Sequence, residues 1–291
     1  MIKFSILIAN YNNGKYFRDC HASFISQTYK NWEAIIIDDG STDDSFEVIS
    51  NLIKEDSRFK IYQNITNKGC GFTKRRCMEY ATGDICGYVD PDDALSPDAI
   101  ECSVNAFKDH PEIVATYSQM MFCNQDLVSQ NIFNKTKQIY NERLFFNCPV
   151  QFTHLFTFKR EIYLKTTGIN PLHKNAVDQD LYLKILEFGE ALFIKKSLYK
   201  YRIHPDGISQ YDSKDTAKAS FAQIILETMH RRGVKKINGR IVPKTFNQPN
   251  EIFDLLEYQN SFLYRSKTKI ITFFQYDFLP IMKKFWSIFH L

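Results

Sequence analysis

The sequence predicts an α/β fold: a doubly wound, mostly parallel sheet followed by a helical C-terminal extension. Three observations carry that expectation. Short apolar runs alternate with longer segments of helical spacing through the first ninety or so residues. Polar, acid-rich clusters follow directly on three of those runs. Beyond residue 210 the chain reads as helices interrupted by a polar linker that contains Pro243 and Pro249.

Residues 3–9 (KFSILIA), 33–38 (EAIIID), 59–63 (FKIYQ) and 85–89 (ICGYV) are rich in Ile, Val and aromatics, as buried strands are. Helical spacing occupies 14–28, 43–55 and 71–82 between them. Such alternation makes βαβ units, and in a parallel sheet of that kind ligands bind outside the carboxyl ends of the strands. The clusters Asn10–Gly14, Asp38–Asp43 and Asp90–Asp93 all fall there, so one crevice is expected to hold them. Beyond Pro97 the pattern weakens to a helix over 97–109 and a strand over 113–122. A clearer helix spans 178–188, with Leu181, Tyr182, Ile185 and Leu186 on one stripe and Gly189 as its stop. Residues 214–232 place Ala217, Phe221, Ile224, Ile225 and Thr228 at helical spacing before Gly233. From Asn250, a candidate N-cap, the tail reads as two amphipathic helices joined near Ser266. The expected division is a nucleotide-binding and catalytic domain over 1–210 and a helical region over 211–291.

A hydrophobic share of 44% with 15% aromatics excludes a disordered chain of 291 residues. The net charge of +4 is too small and too local for a nucleic-acid partner. It collects in Ser261–Leu291, where Arg265, Lys267, Lys269, Lys283 and Lys284 face the single acid Asp277. Seven scattered cysteines without a CxxC pair fit a reduced, cytoplasmic compartment. No run reaches the ~18 apolar residues of a spanning helix, and the N-terminus suits neither a signal peptide nor a span.

The sharpest chemical signal is VDPDDAL, Val89–Leu95. Carboxylates this close repel one another unless a cation sits among them, and oxygen ligands suit hard ions such as Mg²⁺ or Mn²⁺. A solvated acidic turn accounts for the same residues. In IIIDDGSTD, Ile35–Asp43, helix capping explains Ser41, Thr42 and Asp43. It leaves Asp38 and Asp39, which could accept hydrogen bonds from a base N–H or from ribose hydroxyls. In IANYNNGKY, Ile8–Tyr16, Tyr11 is placed to stack on a nucleobase, although Asn and Gly in such a loop also have purely conformational uses. In NKGCGFTKRR, Asn67–Arg76, glycines let backbone approach a ligand and bases could meet phosphate, while a solvated basic helix face equally accounts for Lys74 and Arg76.

Taken in order, ANYNNG, NWEAIIIDDGSTD, NKGCG and YVDPDD resemble the motifs of glycosyltransferase family 2 over about the first 95 residues. The resemblance implies a GT-A, Rossmann-like fold and a metal-dependent, inverting transfer from a nucleotide sugar, with UDP the expected nucleotide. It implies Ala9, Tyr11, Asp38, Asp39, Lys68, Gly69, Arg75, Asp90, Asp92 and Asp93 as the nucleotide-sugar site. Asp90 and Asp92 are the implied metal ligands. In the second half AVDQDLYLKILEFG, Ala176–Gly189, is similar to the family's acidic helix start, making Asp178 the implied catalytic base and Asp180 a supporting acid. The segment YRIHPDGIS, Tyr201–Ser209, is similar to the family's Tyr-Arg-x-His segment, which puts His204 near the metal or diphosphate. Capping for Asp178 and an ordinary hydrogen-bonded histidine are the plain alternatives.

The implied acceptor is a glycan or a lipid-linked saccharide of cell-surface polysaccharide synthesis. The tail's mixture of Phe, Trp and Ile with lysines suits a helix lying on an anionic membrane at the inner face of the cell, or packing on the body. A sugar nucleotidyltransferase would need a glycine-rich basic loop after the first strand, which ANYNNGKYF lacks. An inactive nucleotide-sugar-binding module would lack an acid, yet Asp90, Asp92, Asp93 and Asp178 are all present. A processive synthase would carry a Gln-x-x-Arg-Trp motif, and neither Trp32 nor Trp286 lies in one.

Overall fold

The computed structural model describes residues 1–205 and 214–279. In the first part β1 (Phe4–Asn10), α1 (Gly14–Ile25), β2 (Trp32–Asp38), α2 (Ser45–Ile53), β3 (Phe59–Gln63), α3 (Cys70–Tyr80) and β4 (Ile85–Tyr88) alternate as expected. These four strands pair in parallel in the order β3-β2-β1-β4. Successive side chains of a strand point to opposite faces. Accordingly Phe4, Ile6 and Ile8 of β1 join a core with Phe17, Phe24 and Ile49 on one face, while Leu7 joins Ile35, Cys77 and Met78 on the other. Burial on both faces explains why these strands read as nearly continuous apolar runs.

The second part is a mixed sheet. Beyond β5 (Ala94–Leu95) and α4 (Ala99–Asp109) come β6 (Ala115–Cys123), β7 (Ser129–Ile132), β8 (Phe156–Lys159) and, after α5 (Arg160–Tyr163) and α6 (Val177–Ile185), β9 (Ala191–Arg202). The sheet continues from β4 as β8-β6-β9-β5. Strand β8 is antiparallel to β4 and β6, and β6 runs parallel to β9. The sheet as a whole is the mostly parallel one expected, and short antiparallel ladders enter where β8 returns beside β4 through an extended loop rather than a crossover helix. Strand β9 escapes the sequence pattern for a local reason. Its pairing jumps from Ser118–Ile194 to Gln119–Ser197, so Lys195 and Lys196 stand outside the ladder and interrupt any alternation.

A third cluster of buried residues lies apart from the two faces of the sheet. Helix α7 (Lys214–Arg231), the small hairpin of β10 (Lys236–Ile237) and β11 (Arg240–Ile241), and α8 (Asn250–Leu256) pack Ile225, Met229, Ile237, Ile252 and Leu256 around Phe146. The N-cap position of α8 is Pro249, with Asn250 its first helical residue, and this replaces the capping role expected for Asn250. The tail breaks at Ser261 rather than near Ser266. Ser261 takes an extended conformation and its hydroxyl accepts from the Tyr264 amide at 3.3 Å, starting α9 (Phe262–Thr272), which continues into π-helical turns over Phe273–Phe278. Lys283, Lys284 and Trp286 lie outside the described residues, as does the end of YRIHPDGIS beyond Pro205. Among the described residues no helix is long and apolar enough to cross a membrane.

Candidate active site

The carboxyl ends of β1, β2 and β4 gather the clusters expected there and lash them together. Asn10 and Asp38 are register partners, and the Asn10 amide donates to the Asp38 carboxylate at 2.8 Å. Asp38 also accepts from the Ser41 amide (2.9 Å), the Ser41 hydroxyl (2.6 Å) and Gln63 (3.1 Å). Asp39 accepts from the amides of Lys68 (2.9 Å) and Gly69 (2.8 Å) and from Asn64 (2.6 Å). Both carboxylates, buried at the strand end, are thus engaged in holding the loops that surround the crevice. Gly40 makes this folding-over workable. Its φ is +67°, and a Cβ there would lie 2.8 Å from the Thr66 backbone. Ala9 is half-buried at the end of β1, and Tyr11 is exposed just beyond it.

The acidic loop after β4 forms the second half of the site. Asp93 is buried and accepts from the Tyr199 hydroxyl and the Arg202 amide, each at 2.7 Å. Arg202 in turn donates to the Asp92 carbonyl (2.6 Å) and to Asp19 (2.8 Å), and lies over the Tyr16 ring. Asp92 meets His204 with Oδ2 and Nε2 at 2.7 Å. Burial, and then the neighbouring Asp90 charge, push the Asp92 carboxyl above the usual range, with the His204 contact opposing them. Burial and the charges of Asp92 and Asp90 push Asp93 well above it too.

Helix α6 brings Asp178 to this loop. Its N-cap position is Ala176, in a left-handed conformation and without a side-chain cap, so Asp178 is not the cap. Instead Asp178 Oδ1 lies 2.6 Å from Lys74 Nζ, and Lys74 is 3.4 Å from Asp90 Oδ1. On the other side His154 Nε2 stands 3.7 Å from Asp178 Oδ2 and 4.0 Å from Asp90 Oδ2. Burial alone would raise the Asp178 carboxyl, but the Lys74 and His154 charges outweigh it and hold the group below the usual range. Asp180, expected beside it as a second acid, points elsewhere. It accepts from the Asn170 amide and from Lys184, pinning the loop before α6.

The implied residues thus fall mainly into two hydrogen-bonded groups, one around Asp38 and Asp39 at the end of β2 and one around the acidic loop and Asp178. Arg75 is the exception, because its guanidinium donates to the Thr167 and Ile169 carbonyls at 3.1 and 3.0 Å, on the outer side of α3. The cation that does enter is its neighbour Lys74, buried at 4% exposure rather than on a solvated face. Its signal was a lysine at helical spacing among Cys70, Cys77 and Met78, which belong to the apolar side of α3. His154 lies in the irregular stretch before β8, where no periodicity marks it.

For a divalent ion the fit is partial and chemically sound. Among the described residues no group of three or more His, Cys, Asp or Glu side chains is arranged to hold a metal. Asp92 and His204 offer one hard oxygen and one imidazole nitrogen, beside carboxylates whose crowding a cation would relieve. Ions of the Mg²⁺ and Mn²⁺ kind commonly take one or two protein ligands and complete their shell with substrate phosphate and water.

A parallel first sheet half, an acidic loop after its fourth strand and an acidic helix start in contact with that loop make up a fold of the GT-A kind. The chain belongs to glycosyltransferase family 2, whose model, "Glycosyl transferase family 2", matches residues 5–166. It is 30% identical over 232 residues to chondroitin synthase from Escherichia coli, covering 80% of this chain and 33% of that protein. It is 29% identical over 235 residues to hyaluronan synthase from Pasteurella multocida, covering 80% and 24%. The chain thus spans about a third or less of the curated relatives it first matches. In fold it is similar to S. aureus TarS 1-349 in complex with UDP-GlcNAc, with TM-score 0.66 and 18% identity over 96% of this chain and 77% of that one. The mannosyltransferase PcManGT from Pyrobaculum calidifontis, in complex with GDP-Man and Mn²⁺, gives a TM-score of 0.60 and 14% identity over 88% and 69%.

Proposed function

We propose that this chain is an inverting, divalent-metal-assisted hexosyltransferase. It moves a sugar from a UDP-sugar to a hydroxyl of a glycan or lipid-linked saccharide in cell-surface polysaccharide synthesis. The observation that carries the reading is the opposition of Asp178 to the acidic loop, with Lys74 between Asp178 and Asp90 at 2.6 and 3.4 Å. An inverting transfer needs a carboxylate base on the acceptor side and charge neutralisation on the leaving-group side, within one crevice.

In this reading Asp178 takes the acceptor proton as the new bond forms at the anomeric carbon and the nucleoside diphosphate departs. Lys74 and His154 keep Asp178 ionised before the acceptor arrives. Asp92 and His204, with Asp90 nearby, would hold the cation, and Mn²⁺ or Mg²⁺ there would supply Lewis-acid stabilisation of the diphosphate. Tyr11 stacks on the base beside the Ala9 backbone. Asp38 and Asp39 act by holding the loops, with Lys68 and Gly69 against the ribose and phosphates. Asp93 braces the acidic loop through Tyr199 and Arg202. Arg75 belongs to this scheme only through the loop it anchors at Thr167 and Ile169. Uracil is favoured because it is the base that the family resemblance implies, and the GDP-Man complex of PcManGT makes guanine the competitor to exclude. Residues 1–210 form the catalytic domain, residues 211–291 an appended helical region, and the enzyme works at the cytoplasmic face of the membrane.

Calorimetry with UDP, GDP and CDP, in Mn²⁺ and then in EDTA, on the wild type and Asp92→Ala, tests the donor half without any acceptor. Metal-dependent binding of UDP alone, lost in Asp92→Ala, is expected. Preference for GDP would overturn the UDP assignment, and no nucleotide binding by folded protein would overturn the donor site. Asp178→Asn is expected to keep UDP binding and lose transfer, and normal turnover would remove Asp178 from the mechanism.

A further inference from the structure

The tail helix is mounted on the protein by its polar side. The Tyr264 hydroxyl donates to Glu142 at 2.6 Å and the Tyr276 hydroxyl to Glu190 at 2.7 Å, so both ends of the α9 segment are tied to the body through tyrosine–carboxylate bonds. The opposite side carries Phe262, Leu263, Ile270, Phe273, Phe274 and Phe278, all of them exposed. An amphipathic helix ordinarily buries its apolar stripe against the core. Here these six side chains stand exposed instead, and exposed apolar surface of this kind marks an interaction site.

The charges on the same segment say what kind. Arg265, Lys267 and Lys269 are exposed along α9. Lys137 sits close enough to Arg265 and Lys269 that burial, and then their charges, lower its affinity for a proton. Exposed cations on the same segment as exposed apolar side chains suit an anionic partner. The sequence beyond it adds Lys283 and Lys284 with Phe285 and Trp286. Large apolar side chains flanked by basic ones are the composition of a helix seated at the headgroup boundary of an anionic bilayer.

We propose that α9 and the turns after it lie in the plane of an anionic membrane, with Phe262, Leu263, Ile270, Phe273, Phe274 and Phe278 inserted and Arg265, Lys267 and Lys269 on the lipid phosphates. This deepens the reading of an enzyme working at the membrane and assigns the contact to a surface. Docking there leaves the crevice open, because Glu190 precedes the first residue of β9 while Arg202 and His204 stand at its other end, roughly 35 Å of strand away.

The test is co-sedimentation of the full chain with phosphatidylcholine vesicles that do or do not contain phosphatidylglycerol. The variants are Phe273→Ser/Phe274→Ser and Lys267→Glu/Lys269→Glu, each checked for folding by circular dichroism. The wild type is expected on the anionic vesicles and at least about tenfold less on the neutral ones, and each variant is expected to lose about tenfold. Absence of vesicle binding, or binding unchanged in both variants, overturns the proposal. A concentration-dependent dimer that disappears in Phe273→Ser/Phe274→Ser, without vesicle binding, overturns it in favour of a second copy. UDP calorimetry on the same proteins reports the donor site separately, so failure of one reading is not mistaken for failure of the other.

Discussion

Lys74 is the residue on which the contact between Asp178 and the acidic loop turns. A buried ammonium between two carboxylates is stable only while both partners are charged. Burial lowers its proton affinity, but Asp178 and Asp90 more than reverse that and hold it well above the ordinary lysine value. Lys74→Met keeps the length and apolar stem but leaves Asp178 and Asp90 facing each other across a poorly solvated gap. The expected loss is about 3 kcal/mol, the size found when one partner of a buried pair is removed. Adding Asp178→Asn should recover part of it by removing the uncompensated charge. Urea unfolding of the wild type, both single variants and the double variant decides this, and additive losses would show that the contact does not couple them. The sequence made Asp178 legible because a motif names it. Lys74 was hidden by its neighbours, since TKRR reads as a basic surface and only its spacing with Cys70, Cys77 and Met78 sets Lys74 apart from Arg75 and Arg76.

At the scale of elements, one buried acid ties together the starts of the parallel strands. Glu33, at the start of β2, accepts from Lys3 and Ser5 of the β1 end (both 2.8 Å) and from the amide and hydroxyl of Thr82, which leads into β4 (2.7 and 2.8 Å). Burial by itself would raise its carboxyl, but these donors prevail and bring it from the ordinary 4.5 to about 2. A depressed carboxyl stabilises the fold above its unfolded value and loses that contribution as the pH falls through its folded one. The drop corresponds to about 3 kcal/mol. Glu33→Gln should therefore be less stable than wild type by about that amount at pH 7, with the gap closing between about pH 4.5 and pH 2. Denaturant midpoints across that window check it, and a constant gap would refute the assignment. Strands of this parallel half were legible because each is buried on both faces. Strand β9 was not, since Lys195 and Lys196 stand outside its ladder. Strand β8 was missed because only four residues are paired between irregular loops. The junction at Ser261 depends on a cap that composition does not announce.

Across the whole molecule, the proposed site draws on β1, β2, α3, the loop after β4, α6 and the end of β9, elements from both halves of the sheet where they meet. That meeting concentrates acids. Asp92 is pushed upward by burial and by Asp90, and Asp93 by burial, Asp92 and Asp90, which means that the ionised loop opposes folding at neutral pH. Sites tuned for a ligand often carry such a cost, and it disappears when the ligand binds. Asp92→Asn keeps the shape of the side chain and removes one charge from the cluster. In EDTA that variant should melt at a higher temperature than the wild type. With Mn²⁺ and UDP added at about a hundredfold excess over the dissociation constant, the wild type should gain about 2.7 kcal/mol and overtake it, while the variant stays where it was. Scanning calorimetry in the two conditions separates the possibilities. A variant less stable than wild type in EDTA would mean that the Asp92–His204 contact holds the fold rather than awaiting a cation. A wild type unmoved by Mn²⁺ and UDP would mean that the acidic loop is not where the donor binds.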